Sequence, residues 1–264
     1  MIAADQKGLF LNLRALQDEF LDRVQAISGK PVVLQSDGNF AGHAVIRMAT
    51  KEHPAHVLLY KPEQQSLLPY LVAFQCELAL RSFLAAPQAQ FDLIAKPAMK
   101  DDVLKLMRHH LRGRNDIADP MIQQLATRFG SGLGFQLRSL PVAMRVDQDI
   151  FDNHPPLRDL QRKSIELQLQ ENMYALSPSV KSVAPDKIVR PNASMNAAFA
   201  KFFSDLWDDP TVFSPYIAAG YSKVTQELLE IQQRIANDPD HDRELIEAWA
   251  KHLGRDHWFA TRQR

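Results

Sequence analysis

The sequence predicts an α+β fold that is predominantly helical, with a small antiparallel three-stranded sheet packed on a buried central helix and a helical C-terminal half. The first observation is the apolar run at residues 66–86, SLLPYLVAFQCELALRSFLAA, which has Leu, Ala and Phe on every side of its helical projection. The second is a set of three short runs rich in β-branched residues just before it, at 31–35, 43–49 and 55–61. The third is the three- and four-residue spacing of apolar side chains over much of the remaining chain.

Composition indicates a globular chain without overall charge. Its 264 residues, 45% of them hydrophobic, suffice for one large domain or two modest ones. The 31 basic and 31 acidic residues balance, which excludes a global field that attracts nucleic acid or anionic lipid. The single cysteine, Cys76, excludes an internal disulfide framework and favours a cytoplasmic location. The first residues lack the basic start and apolar core of a signal peptide, so we expect no export.

Two elements precede the central helix. A helix is predicted over residues 9–27, until Gly29 and Pro31 end the apolar pattern. Turn residues at 36–39 and 51–54 then separate the three strands.

A histidine pair, His53 and His56, falls at the second of these turns, with a spacing that would serve a metal ion. Pro54 keeps the segment extended, and no acid or thiol stands beside the pair in the sequence. We therefore expect a solvated loop.

Three polar residues near the middle of the central helix, Gln75, Glu77 and Arg81, form a candidate polar cluster. Ionised groups are costly at the centre of a bilayer, so we expect a buried helix and no membrane span. Glu77 and Arg81 are four residues apart on one face, which predicts a structural ion pair, whereas Gln75 needs a partner in the surrounding fold. A reactive site at these residues is the alternative.

A basic patch follows the central helix. Asp101 and Asp102 open a predicted helix, and basic residues crowd its end, an arrangement that favours the helix dipole. The patch is the best local candidate for a phosphate or nucleic-acid contact, but no aromatic residues are interleaved for base stacking. We expect a solvated helix end. The patch consists of Arg108, His109, His110, Arg112 and Arg114.

Glycines and prolines divide the second half of the chain. Gly130, Gly132 and Gly134 lack the preceding strand and the following Lys-Ser or Lys-Thr of a phosphate loop, so they predict a flexible connection between two helices. Residues 177–192 contain three prolines and predict a linker. The domains predicted from these signals are residues 1–176, with a helical extension, and a helical region at 193–264.

The first hundred residues carry a family resemblance. A leading helix, three short strands and a buried helix with the sequence VAFQCELALR resemble the zinc-peptidase core of the ImmA/IrrE type, whose helix carries AHExxH followed by an arginine. On that pattern Phe74 stands at the first ligand histidine, Gln75 at the general-base glutamate and Leu78 at the second ligand histidine.

These departures have direct chemical consequences. Phe and Leu cannot bind zinc, and an amide cannot act as a base. The resemblance therefore implies a scaffold that has lost its hydrolytic site and has neither catalytic residues nor a metal or other cofactor, with Phe74 and Leu78 filling the former metal cavity as core residues. Enzymatic activity is not expected.

Three functions follow as hypotheses. The first is a non-catalytic pseudo-metallopeptidase that binds or regulates another protein, in a toxin–antitoxin or phage-defence context that rests on family association alone. The second is a metal-dependent hydrolase with a site rebuilt near the polar cluster or from histidines that are distant in sequence. The third is a nucleic-acid-associated protein that uses the basic patch at 108–114.

Overall fold

A computed structural model describes the backbone of residues 2–264 and the side chains from residue 12 onward. The chain is 67% helical with two small sheets, which confirms the predominantly helical α+β class. The elements are α1 (Ile2–Ser28), β1 (Val32–Ser36), β2 (Ala44–Arg47), β3 (His56–Tyr60), α2 (Leu68–Leu84), β4 (Phe91–Ala95), α3 (Pro97–His110), α4 (Asp119–Asn153), α5 (Arg158–Met173), α6 (Pro178–Val183), α7 (Asp186–Leu206), α8 (Ser214–Ala218), α9 (Ser222–Arg234), α10 (Asp242–His252) and β5 (Phe259–Gln263).

The chain forms two compact units, each built from two segments. The first unit contains Met1–Ala86 and Arg145–Leu167, and the second contains Pro87–Met144 and Gln168–Arg264. Residues 177–192, for which composition predicts a linker, form α6 and the first turns of α7 within the second unit. The prolines there start helices or lie inside one, and apolar neighbours are buried, so the segment is part of a packed body.

The three-stranded sheet of the first unit is mixed, whereas the sequence predicted an antiparallel one. Its strand order is β1-β3-β2; β3 pairs parallel with β1 and antiparallel with β2. The apolar composition of β3 suits the centre of the sheet, where Leu58, Leu59 and Tyr60 are all buried. As a result, β2 is an edge strand.

Helix α2 is buried over most of its circumference, but not all round as the sequence predicted. Nine of its residues are buried, Cys76 among them. Phe74, Glu77, Leu78 and Arg81 instead form a partly exposed stripe, at the spacing of one helical face. Among the described residues, one segment, Pro62–Leu84, has the length and apolarity of a membrane span, a property that the core helix of a soluble protein shares.

In the second unit, α4 runs unbroken through the three glycines, so the predicted flexible connection is wrong. Gly130 and Gly134 lie one turn apart, where a Cβ atom would stand 2.5 Å from Met99 Sδ and 2.7 Å from Phe259 Cε1. These glycines therefore allow close packing of neighbouring side chains on a continuous helix. Strands β4 and β5 pair antiparallel and hold the C-terminal segment, which Trp258 and Phe259 anchor as buried side chains.

Candidate functional site

Gln75 binds the edge strand of the sheet. The Ile46 N–H donates to Gln75 Oε1 at 3.0 Å, and Gln75 Nε2 donates to the Ala44 carbonyl at 3.2 Å. Alternate residues of an edge strand point their backbone groups away from the sheet, so one amide side chain can pair with residues i and i+2 as a further strand would. The partner that Gln75 needs is thus the backbone of β2.

Glu77 pairs with α1, and not with Arg81 as the sequence predicted. Arg23 Nη1 donates to Glu77 Oε1 at 2.6 Å, and the glutamate side chain is 13% exposed. Arg81 makes interactions of its own. Between Gln75 and Glu77, burial raises the pKa of the Cys76 thiol to about 12, with a smaller contribution from the Glu77 charge. The thiol therefore stays protonated at neutral pH and is a poor nucleophile.

The two positions that the resemblance assigns to zinc ligands hold apolar groups on the partly exposed stripe of α2. The Phe74 ring lies tilted at 37° to that of Tyr70, with ring centroids 6.0 Å apart, and Leu78 follows one turn later. Their partial exposure differs from the fully buried core predicted for them. Within the described part of the chain, no group of three or more His, Cys, Asp or Glu side chains is placed to hold a metal ion.

The histidine pair is split between a strand and a loop. His56 is buried in β3, which corrects the expectation of a solvated loop at this residue. Its Nδ1 accepts the Ala49 N–H at 3.0 Å, so the neutral ring carries its proton on Nε2 and donates to Ser28 Oγ, also at 3.0 Å. Burial, with a smaller effect from Lys30, lowers the pKa of His56. His53 remains exposed in the loop, where it contacts Thr50.

A buried carboxyl cluster in the first unit was not found by sequence reasoning. Tyr70 Oη donates to Asp147 Oδ1 at 2.8 Å, and Gln161 Nε2 donates to the same oxygen at 2.9 Å. Asp147 is 1% exposed, and Gln161 and Ser164 are fully buried. Burial raises the pKa of Asp147 to about 7 against the opposing effect of the two hydrogen bonds. Within the described side chains, Asp147 Oδ2, Gln161 Oε1 and Ser164 Oγ have no hydrogen-bond partner.

The sequence does contain a signal for this cluster. Asp147 continues the buried face of α4 one residue after Val146 and three before Ile150, both of which are buried. An acid among buried apolar positions needs a partner or a proton. Burial favours the protonated form of Asp147, so the cluster is suited to holding a proton in the core.

Two arginines of the basic patch are already paired. Arg108 donates to both Asp119 oxygens at 2.9 Å, and Arg114 donates to both Asp116 oxygens at 2.8 and 2.7 Å. The hydrogen bonds raise the pKa of each arginine, lower that of Asp119 and lower that of Asp116 to about 2. His109, His110 and Arg112 are exposed at or just beyond the end of α3. The patch thus carries less free positive charge than its sequence indicates.

A groove in the second unit brings part of this patch together with basic residues from elsewhere. Its volume is about 950 Å³. Arg255 lies 4.3 Å over the Trp258 ring and donates to the Lys187 carbonyl at 3.0 Å, and the Trp258 indole N–H donates to Asp102 Oδ2 at 3.0 Å. The charged residues that line this basic groove are Asp101, Asp102, Lys105, Arg108, Arg112, Lys187 and Arg255. Sequence reasoning missed the groove because Lys187 and Arg255 are far from α3 in the chain.

Comparisons with known proteins give no further guide. No protein-family model, curated protein or solved structure matches this chain. Its function is therefore inferred from the geometry and chemistry of its own sites.

Proposed function

We propose that the first unit is a metallopeptidase-like scaffold without hydrolytic chemistry, which binds and regulates another protein. The observation that carries this proposal is the position of Gln75. Its amide occupies the general-base position of the resembled helix and is bound to Ala44 and Ile46 of the edge strand. An amide has no basic lone pair with which to take a proton from water.

The neighbouring positions support the same conclusion. A zinc peptidase needs two imidazoles one helical turn apart, and Phe74 and Leu78 have no atom that coordinates a metal. Two other polar groups of this unit are used in its structure: Glu77 binds Arg23, and His56 uses both ring nitrogens. The described residues of α2 therefore offer surface for recognition in place of reactive groups.

The mode of recognition also follows from Gln75. An extended peptide that joined the sheet at β2 would need the Ala44 carbonyl and the Ile46 N–H, which Gln75 already occupies. This argues against strand addition at β2, and the partly exposed Phe74 and Leu78 are apolar contacts suited to a protein partner. A toxin–antitoxin or phage-defence setting is part of the proposal through the resemblance alone.

The proposal is tested with a protein extract of the source cells and the full chain as bait. We expect wild type to retain a partner that stays intact by mass spectrometry in the presence of added zinc. The double variant Phe74→Ser/Leu78→Ser should retain at least about tenfold less, because an aromatic contact and an aliphatic one are lost. The matched control is Val33→Ser/Leu167→Ser, which removes two other apolar side chains that are exposed on the same unit.

Three results would contradict this proposal. They are cleavage of the retained protein, one equivalent of zinc kept by wild type through dialysis, and equal loss of the partner in both double variants. Melting curves of all three proteins show whether a loss of binding comes from unfolding.

A further inference from the structure

The basic groove of the second unit has a net positive charge. Five of its lining residues are cationic and two are acidic, which leaves an excess of three positive charges with histidines neutral. Arg108 is paired with Asp119, and Asp102 accepts the Trp258 indole N–H and lies 3.8 Å from His257 Nε2. Of the other charged lining residues, four are cations and one, Asp101, is an acid.

Three of these cations have no partner in the part of the chain that the structure describes. Lys105, Arg112 and Lys187 are exposed, and their side chains make no hydrogen bond or ion pair there. A fourth, Arg255, is partly buried, and its Nε has no acceptor although it is sealed from solvent. Burial lowers the pKa of this guanidinium, so its charge is held at a cost that a bound anion would offset.

Charge is also distributed unevenly along the groove. Asp101 and Arg108 are seven residues apart along α3, or about 10 Å at the rise of a helix, and Arg112 follows just beyond its end. Acids stand at the start of this stretch, and Lys105, Arg108 and Arg112 follow toward its end. Lys187 comes from the first turn of α7, where Asp186 precedes it.

We propose that this groove binds a small organic polyphosphate of the nucleoside di- or triphosphate class. The phosphates contact Lys105, Arg112, Lys187 and Arg255, and the hydroxyl-bearing half of the ligand lies toward Asp101. A volume of about 950 Å³ is within the range of small-molecule sites. This site is independent of the function proposed for the first unit, so either proposal can fail alone.

A nucleic-acid strand fits the groove less well. Base stacking needs exposed aromatic rings, but Trp258 is 1% exposed and is covered by Arg255. The neighbouring cations that would extend a track for the backbone, Arg108 and Arg114, are each held by a carboxylate. Arg112, a further arginine of the basic patch, lines the groove.

The test is isothermal titration of the full chain with ATP at physiological salt. We expect one site, and the variant Lys105→Gln/Arg112→Gln should bind at least about tenfold more weakly, because two charge-assisted contacts are lost. The matched control Arg128→Gln/Lys223→Gln removes the same net charge at two exposed positions of this unit outside the groove, and it should bind within about twofold of wild type. All substitutions are at exposed side chains, so the fold should be preserved.

Two further probes separate the ligand classes. Adenosine should not bind detectably, and a single-stranded RNA oligonucleotide should bind more weakly than ATP. The proposal is overturned if wild type does not bind ATP at millimolar concentration, if both double variants lose equal affinity, or if adenosine binds as well as ATP. Tighter binding of RNA through the same residues would make the groove a nucleic-acid site instead.

Discussion

The substitution Asp147→Asn should change how the stability of this protein depends on pH. In the folded chain, burial raises the pKa of Asp147 from its ordinary value of 3.8 to about 7. Between these values the folded protein keeps the proton and the unfolded chain releases it, so wild type loses stability as pH rises from about 4 to about 7. Above both pKa values, the contribution of Asp147 to the free energy of unfolding no longer changes with pH. Asparagine keeps the shape of the side chain but does not titrate.

The size of the effect follows from the same two values. A tenfold change in an equilibrium constant corresponds to about 1.4 kcal/mol, so the difference between the folded and unfolded pKa amounts to about 4 kcal/mol. We expect the free energy of unfolding of Asp147→Asn, relative to wild type, to rise by about this amount between pH 4 and 8 and then to level off. The asparagine amide also provides N–H donors in a cluster where Gln161 Oε1 and Asp147 Oδ2 have no partner.

The assay is urea unfolding followed by circular dichroism at half-unit pH steps from 4.5 to 8.5. The lowered pKa of His56 acts in the opposite direction, because stability is gained as pH rises toward 6.5, but it is common to both proteins and cancels in the difference. Asp149→Asn, which removes a carboxylate at an exposed position two residues along α4, is the matched control. Parallel pH profiles for wild type and Asp147→Asn would refute the reasoning.

Three further substitutions test the packing of the two units. Gln75→Ala leaves the Ala44 carbonyl and the Ile46 N–H without their side-chain partner, so the free energy of unfolding should fall by about 2–4 kcal/mol. Hydrogen exchange of the Ile46 amide, followed by NMR, should become faster. An unchanged exchange rate would contradict the contact. Gly134→Ala should destabilise by about 1–3 kcal/mol because its Cβ meets the ring of Phe259, whereas Gly132→Ala, with open space around it, should stabilise by up to about 1 kcal/mol. Thermal melting of the two glycine variants checks the opposite signs, and shifts in the same direction would count against the close contact.

The parts of the fold that the sequence predicted are those encoded by local patterns. The period of apolar residues indicates α1, and alternation between turn residues indicates the three strands of the first unit. The order of these strands was not predictable in the same way, because the parallel pairing of β1 with β3 joins residues separated by a third strand. The continuity of α4 was missed because Gly130 and Gly134 were taken as breakers, whereas packing against Met99 and Phe259 overrides their low helix propensity.

In the candidate sites, too, local sequence patterns did not reveal contacts between residues that are distant in the chain. Burial of Gln75 predicts that it needs a partner, but the partner is a strand about thirty residues earlier. The pairing of Arg108 with Asp119 joins a helix end to the start of the next helix, so the charge pattern of one element overstates the free charge of the patch. Lys187 and Arg255 lie 68 residues apart and meet only in the folded second unit.

The two proposals follow from where each unit keeps its polar groups. In the first unit, Gln75, His56 and Asp147 are buried and bound to neighbouring protein groups, which supports the proposal of recognition at the surface of that unit. In the second unit, Lys105 and Arg112 stay at the surface of a groove and make no ion pair within the described chain. Unpaired like charges repel each other and destabilise the fold, so a bound polyanion would reduce this repulsion.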